Sequence, residues 1–349
     1  RERDRSRALC GAKMAVGVNP ELGSRGQGRP EQDLARNWST AAGLCRIAAH
    51  TLSHMNAFMD RHHRTLLCLD GLSVGDAFGE LFLTQSAAEL LVRRGTPAGP
   101  WNWTDDTHMA LSVVAELFDT LGIDPDGLVK RLCRRFEEEP GRGYGQGAKT
   151  LMTSYANGGD WRIEASGLFN GGSWGNGAAM RAAPIGAFFF SHPARAADEA
   201  RMSAAVTHAH SDGQAGAIAV AVATTLICGP RPLRGTALLD EVTRYTPRGR
   251  LRTGLEQACT ISARELKTAS GILGSGHDCA AFDTVPFAIW LVAHHGHDLA
   301  ECLWLVGGAG GDTNTVGAIV GGMLGAAGLK APDAWRNARE PLPEEFRTE

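Results

Sequence analysis

From about residue 64 the apolar positions of the chain recur at intervals of three and four, and they do so to about residue 330. Met109, Val113 and Leu117 in "HMALSVVAELFDTLG" show the spacing directly. Residues four apart share one face of a helix, so these three form a stripe that can be buried while the intervening polar positions stay wet. The same periodicity runs through "RTLLCLDGLSVGDAFGELFL", "PDGLVKRLCRRFEEEP", "PIGAFFFSHPARAADEARMSAAVTH", "QAGAIAVAVATTLICG", "LLDEVTRY", "TGLEQACTISARELKTA", "TVPFAIWLVAHH", "DLAECLWLVGGA" and "TVGAIVGGMLGAAGL". The connections are rich in Gly, Pro, Asn and Asp, with few β-branched runs between turn signals. The pattern predicts an all-α, single-domain bundle of many helices. "AGAIAVAVATTLICG", from Ala215, is apolar throughout, which suits a buried helix, and is too short to span a bilayer.

Both ends break the pattern. "RERDRSRALCGAK" alternates arginine with acids, and the next thirty residues hold many Gly, Pro, Glu and Arg, so residues 1–58 can supply no core and are expected to be disordered or loosely helical. Met59 opens "MDRHHRTLLCLDGL" where apolar density rises, which makes the upstream segment either a non-native extension or a targeting or partner-binding arm. The helical domain is expected over 59–331. The charged, proline-bearing segment 332–349 is expected to lie on the surface.

Composition narrows the function classes. Hydrophobic residues make up 43% and charged residues 21% of the 349, as in an ordinary globular protein. A net charge of -3 excludes a broad nucleic-acid or membrane-binding surface. The eight cysteines stand singly, with no CxxC pair, and no stretch reads as a signal peptide. A cytoplasmic monomer with reduced thiols is the expectation.

Two acidic turns each precede a small-residue helix. "WTDDTHMALSVVAELF" places Thr104, Asp105, Asp106 and Thr107 at one helix start, and "GGDTNTVGAIVGGMLGA" places Asp312, Thr313, Asn314 and Thr315 at another. Either one alone is explained by helix capping and by the positive end of the helix dipole. A cap needs one oxygen, however, and each turn presents three or four hard oxygens with no Cys or His among them, a set suited to Mg²⁺. Facing each other across a bundle, the turns could hold two ions roughly 3.5–4 Å apart. "GGSWGNGAAMR" is a glycine-rich turn before a helix, with backbone N–H groups from Ser173 to Gly177 that suit an anion; it is no Walker A loop, and no strand precedes it. Arg181 reads as a support for that loop or for an internal carboxylate. His208 and Asp212 can share a helix face and His210 cannot, while "HHGH" at 294–297 reads as a solvated, cationic helix end.

Six ordered stretches, "GLSVGDAFGE" (71–80), "WTDDTHMAL" (103–111), "RGYGQG" (142–147), "GGSWGNGAAMRAAPIG" (171–186), "THAHSDGQAGAIAVA" (207–221) and "GGDTNTVGAIVGG" (310–322), resemble the motifs of the ADP-ribosylglycohydrolases. The resemblance spans about residues 64–331 and implies an all-α fold with two Mg²⁺ or Mn²⁺ ions. It implies Thr104, Asp105, Asp106, Asp312, Asn314 and Thr315 as metal ligands. Tyr144, Gly145, Ser173, Trp174, Gly175, Asn176 and Gly177 would line the ADP-ribose diphosphate, and His208 would contact the distal ribose. Asp105 and Asp106 would position water and shuttle protons, and Asp76 would support the ligands from behind. The chain departs from the family twice. Asn314 stands where relatives carry aspartate, removing one charge, so a second ion should bind more weakly. Leu83 stands where many relatives carry a glutamate that closes over the site; Glu80 either takes that part or faces solvent. The implied activity is release of ADP-ribose from an ADP-ribosylated protein or other acceptor. Two alternatives stay open: an ADP-ribose-binding or structural member with weak catalysis, and a hydrolase of free ADP-ribosyl metabolites.

Overall fold

A computed structural model describes residues 60–348, so the expected N-terminal extension and its boundary at Met59 lie outside the described residues. The described chain is all-α, built from sixteen helices without a strand, as the periodicity predicts. α1 covers residues 60–84. The others are α2 (Ala87–Arg93), α3 (Asp105–Thr120), α4 (Pro125–Glu138), α5 (Gln146–Ala156), α6 (Trp161–Gly167), α7 (Ala183–Phe188), α8 (Pro193–Ala205), α9 (Ser211–Cys228), α10 (Gly235–Tyr245), α11 (Arg250–Ala258), α12 (Leu266–Leu273), α13 (Ala281–His295), α14 (Leu299–Ala309), α15 (Thr313–Ala326) and α16 (Asp333–Ala338).

α9 is the hub. Its 18 residues are apolar enough in composition to cross a bilayer, yet 83% of that span is buried inside the protein. It packs against α7, α8, α10, α13 and α15, and a helix with no wet face needs such a surround. Two stretches expected to be continuous are each divided in two. His192 precedes Pro193 in non-helical backbone (φ -135°, ψ 72°), so "PIGAFFFSHPARAADEARMSAAVTH" becomes α7 and α8. "TGLEQACTISARELKTA" likewise breaks after Ala258 into α11 and α12.

α1 and α15 touch backbone to backbone. Gly71, Gly75 and Gly79, four residues apart on α1, face Gly325, Gly321, Gly317 and Thr313 on α15, and a methyl group on any of the three would overlap main-chain atoms of the partner helix. The Thr313 hydroxyl donates to the Gly79 carbonyl at 2.8 Å, fixing the register at one end. Asp76 on α1 and the first residues of α15 are thereby held at the same level of the bundle.

The C-terminal segment is not the surface tail its charges suggest. Trp335, Leu342 and Phe346 are buried, and Trp335 stacks on Phe78 with ring centroids 4.1 Å apart and meets Trp101 and Trp304 edge-on. The charges serve as latches. Arg336 and Arg339 both pair with Asp70 on α1, and Glu340 receives two hydrogen bonds from Arg142, at 2.6 and 2.7 Å. Trp335 and Phe346 are the two aromatics of this charged stretch, and residues eleven apart show no helical stripe to read. His294 and His295 also depart from expectation. They lie half-buried against Trp290, and burial lowers both imidazole pKa values, so neither is a solvated cation.

Candidate functional site

α3 starts at Asp105, and much of its capping comes from another helix. Asp76 Oδ2 accepts the Thr104 N–H (2.9 Å), the Thr107 N–H (3.0 Å) and the Thr107 hydroxyl (2.6 Å), while Oδ1 accepts the Thr104 hydroxyl (2.8 Å). A fully buried carboxylate from α1 therefore satisfies orphan donors of the α3 N-terminus. That releases the carboxylates of Asp105 and Asp106 from capping. On α15, Asp312 occupies the N-cap position and faces Thr315, and its Oδ2 also accepts from Asn176 Nδ2 at 2.7 Å. Asn314 Nδ2 donates to Thr104 Oγ1 at 3.3 Å, which joins the two turns directly.

Three oxygens in this cluster are short of partners. The single proton of the Thr104 hydroxyl faces Asp76 Oδ1 at 2.8 Å and Asp106 Oδ2 at 2.9 Å, so one of these contacts lacks a hydrogen when both acids are ionised. Asp106 Oδ1 and Asn314 Oδ1 are buried with no partner at all. Burial and mutual repulsion favour protons on the acids. Asp105 is pushed up to about 7, by burial first and then by the Asp76 charge, and Asp106 rises well above its ordinary value for the same reasons. Burial lifts Asp76 to about 6 against the pull of its four hydrogen bonds, and also raises Asp312. Glu80 is raised by burial and by the charges of Asp76 and Asp312. Crowded, under-bonded carboxylate, amide and hydroxyl oxygens are a donor set that fits a hard divalent cation. Among the described residues no three His, Cys, Asp or Glu side chains form a cation cage by themselves, so the Thr and Asn oxygens are needed to complete one.

The cluster forms the floor of a cavity of about 470 Å³. Into it the fold brings Glu80, Thr104, Asp105, Asp106, Asp312, Asn314 and Thr315 together with Gly145, Ser173, Gly175, Asn176, Gly177 and His208. The glycine-rich turn is pinned from below: the Asn176 N–H donates to the Cys279 carbonyl (3.0 Å) and the Ala281 N–H to the Trp174 carbonyl (2.9 Å). The Gly175 N–H is spent on Ser173 Oγ at 3.1 Å, so two of the amides expected to bind an anion already have partners. His208 lies against the turn, where a Cβ at Gly175 or Gly177 would come within 3.3 Å of its Nε2. Burial, and then the Arg181 charge, lowers His208 to about 3, so its ring is uncharged at neutral pH.

Tyr144 and Trp174, expected at the ligand, do not line the cavity. Asp76 lies beneath it, holding Thr104 and Thr107. Tyr144 points into the core, its hydroxyl 2.8 Å from His108 Nδ1 and its ring edge-on to Phe136. Trp174 stands at the rim, 41% exposed, beside Phe169 and His210. Conversely, Met109, Phe169, Met180, Thr207 and Cys279 line the cavity without having been singled out as site residues. Phe169 and Cys279 adopt left-handed backbone, φ 54° and 50°, which turns loop side chains toward the opening; positive φ at such residues leaves no mark in a hydrophobic pattern. Met109 belongs to the core stripe by spacing, and only the three-dimensional structure shows its second duty. A shallower groove of about 530 Å³, lined by Asn102, Trp103, Glu139 and Arg142, shares Glu80, Thr104 and Gly143 with the cavity.

The family model for ADP-ribosylglycohydrolase matches residues 58–347, nearly all of the described chain. The chain belongs to the ADP-ribosylglycohydrolase family. Similar proteins include the human ADP-ribosylhydrolase ARH3, 29% identical over 79% of this chain and 89% of that one, and its chicken counterpart, 28% identical over the same shares. A protein of Archaeoglobus fulgidus is 31% identical over 77% of this chain and 88% of its own length. Among solved structures, an ADP-ribosylglycohydrolase-related protein complex superposes with a TM-score of 0.60 at 26% identity, covering 81% of this chain and 94% of that one. As an ADP-ribosylglycohydrolase family member the chain is a hydrolase, and the all-α architecture is the family's own.

Proposed function

We propose that this hydrolase releases ADP-ribose from ADP-ribosylated proteins with the help of Mg²⁺ or Mn²⁺. The observation that carries the reading is the meeting, in one cavity, of two acidic turns with buried unpartnered oxygens, a glycine-rich turn and an uncharged histidine. Thr104, Asp105, Asp106, Asp312, Asn314 and Thr315 would hold the ions, which would supply Lewis-acid charge to the distal ribose. The exposed faces of Phe169 and Trp174 offer stacking surface for the adenine. Water attacks C1″ of the ribose, giving its proton to Asp105, whose carboxylate lines the cavity. The bond from C1″ to the acceptor breaks, and Glu80, which lies between the cavity and the adjoining groove, protonates the departing atom.

ADP-ribose release from peptides carrying serine- or arginine-linked ADP-ribose, with and without EDTA, tests this. Asp105→Ala should lower the rate by roughly 10²–10⁴-fold, and EDTA should stop it. Activity that survives both would remove the metal and Asp105 from the mechanism. A second reading, a member that binds ADP-ribose with feeble turnover, is favoured by Asn314, whose amide is engaged with Thr104 Oγ1 where relatives would present another carboxylate. Wild type that binds ADP-ribose without turnover, together with an active Asn314→Asp, would select it. Turnover of free ADP-ribosyl metabolites and not of peptides would change the substrate class.

A further inference from the structure

Arg181 is fully buried, and no carboxylate pairs with it among the described residues. Its Nη1 donates to the Gly177 carbonyl at 3.3 Å, and its Nη2 donates to the Ser203 carbonyl at 2.8 Å and to Thr207 Oγ1 at 2.9 Å. A guanidinium cannot accept a hydrogen bond, so Thr207 Oγ1 is the acceptor in that contact. The same hydroxyl lies 2.8 Å from His208 Nδ1 and has no other acceptor among the described residues. Were His208 protonated on Nδ1, the Thr207 hydroxyl would accept twice and its own proton would be buried without a partner, a cost avoided when it donates to Nδ1. The remaining ring proton then sits on Nε2, beside Gly175 and Gly177 at the cavity wall.

We propose that Arg181 is a positioning residue: through Thr207 it locks His208 as the Nε2–H tautomer, a one-directional hydrogen-bond donor to the sugar–phosphate ligand. The ligand half of this rests on the ADP-ribose reading; the lock itself does not. Burial of the ring and the adjoining guanidinium disfavour the imidazolium, so His208 donates without taking part in proton transfer. Arg181 also holds the Gly177 carbonyl, so one side chain fixes both the glycine turn and the ring that faces it.

Two-bond ¹H–¹⁵N correlation spectra of the full chain read the tautomer directly. Wild type should show His208 with protonated Nε2 and an Nδ1 resonance shifted by an accepted hydrogen bond. Thr207→Val should move that Nδ1 resonance and weaken ADP-ribose binding by about tenfold, and Thr207→Ser should restore both. Arg181→Met should reproduce the spectral change, and the Thr207 pair keeps the test independent of whether that variant folds. A protonated Nδ1 in wild type, or an Nδ1 resonance and ADP-ribose affinity both indifferent to Thr207→Val, would overturn the proposal. If wild type shows the lock and binds no ADP-ribose, the functional reading fails and the tautomer assignment stands.

Discussion

At the scale of the residue, the acid turns carry a pH signature. Asp105 is raised to about 7 in the folded chain against roughly 3.9 unfolded. A raised carboxyl contributes stability that is full below about pH 4 and is lost as pH rises through about 7. In the EDTA-treated protein Asp105 should therefore lower stability as pH rises from about 4 to about 7, read as the difference in unfolding midpoint between wild type and Asp105→Asn, because buried His208 and His108, whose pKa values are lowered, contribute with the opposite sign. Asp105→Asn should flatten the slope, and saturating Mg²⁺ should reverse the penalty because a cation favours the ionised acids. A difference between wild type and Asp105→Asn that does not fall with pH in EDTA would refute the assignment. The oxygens behind this behaviour were legible in the sequence, since two dense polar turns before small-residue helices are hard to read as caps alone. What could not be read is that Asp76 does the capping of α3 and frees them, or that Tyr144 turns inward to His108.

At the scale of the element, α1 and α15 meet through glycines, so the distance between the two halves of the site is set by main-chain contact. A methyl group at Gly75 would overlap the carbonyl of Gly317 one residue from Asp76. Gly75→Ala should cost about 1–3 kcal/mol through overpacking and weaken Mg²⁺ binding along with it. Gly308→Ala on the exposed side of α14, where the nearest atom would be Leu91 Cδ2 at 3.8 Å, should instead gain roughly 0.5–1 kcal/mol. Calorimetry of the pair tests the idea, and equal midpoints would mean that the helices are free to adjust. Periodicity predicted most long helices, because a stripe every three to four residues survives any tertiary context. It could not divide α7 from α8 without weighing His192–Pro193, and it missed α5 and the shorter α2, α6 and α16.

At the scale of the whole molecule, the segment after residue 331 completes the core and also reaches the site. Trp335 fills the space among Phe78, Trp101 and Trp304, so Trp335→Ala should cost about 3–5 kcal/mol; denaturant titration that finds less than about 1 kcal/mol would make the segment dispensable. Glu340 holds the Arg142 guanidinium, which lies 3.7 Å from the Trp103 ring centroid and donates to the Trp103 carbonyl, while the Arg142 carbonyl accepts the Asp105 N–H at 2.7 Å. The turn that carries Asp105 is thus gripped through Arg142 by Glu340. A protein cut before Glu340 would keep every one of the six motifs and lose the clamp on Asp105, so motif content alone would overstate its competence.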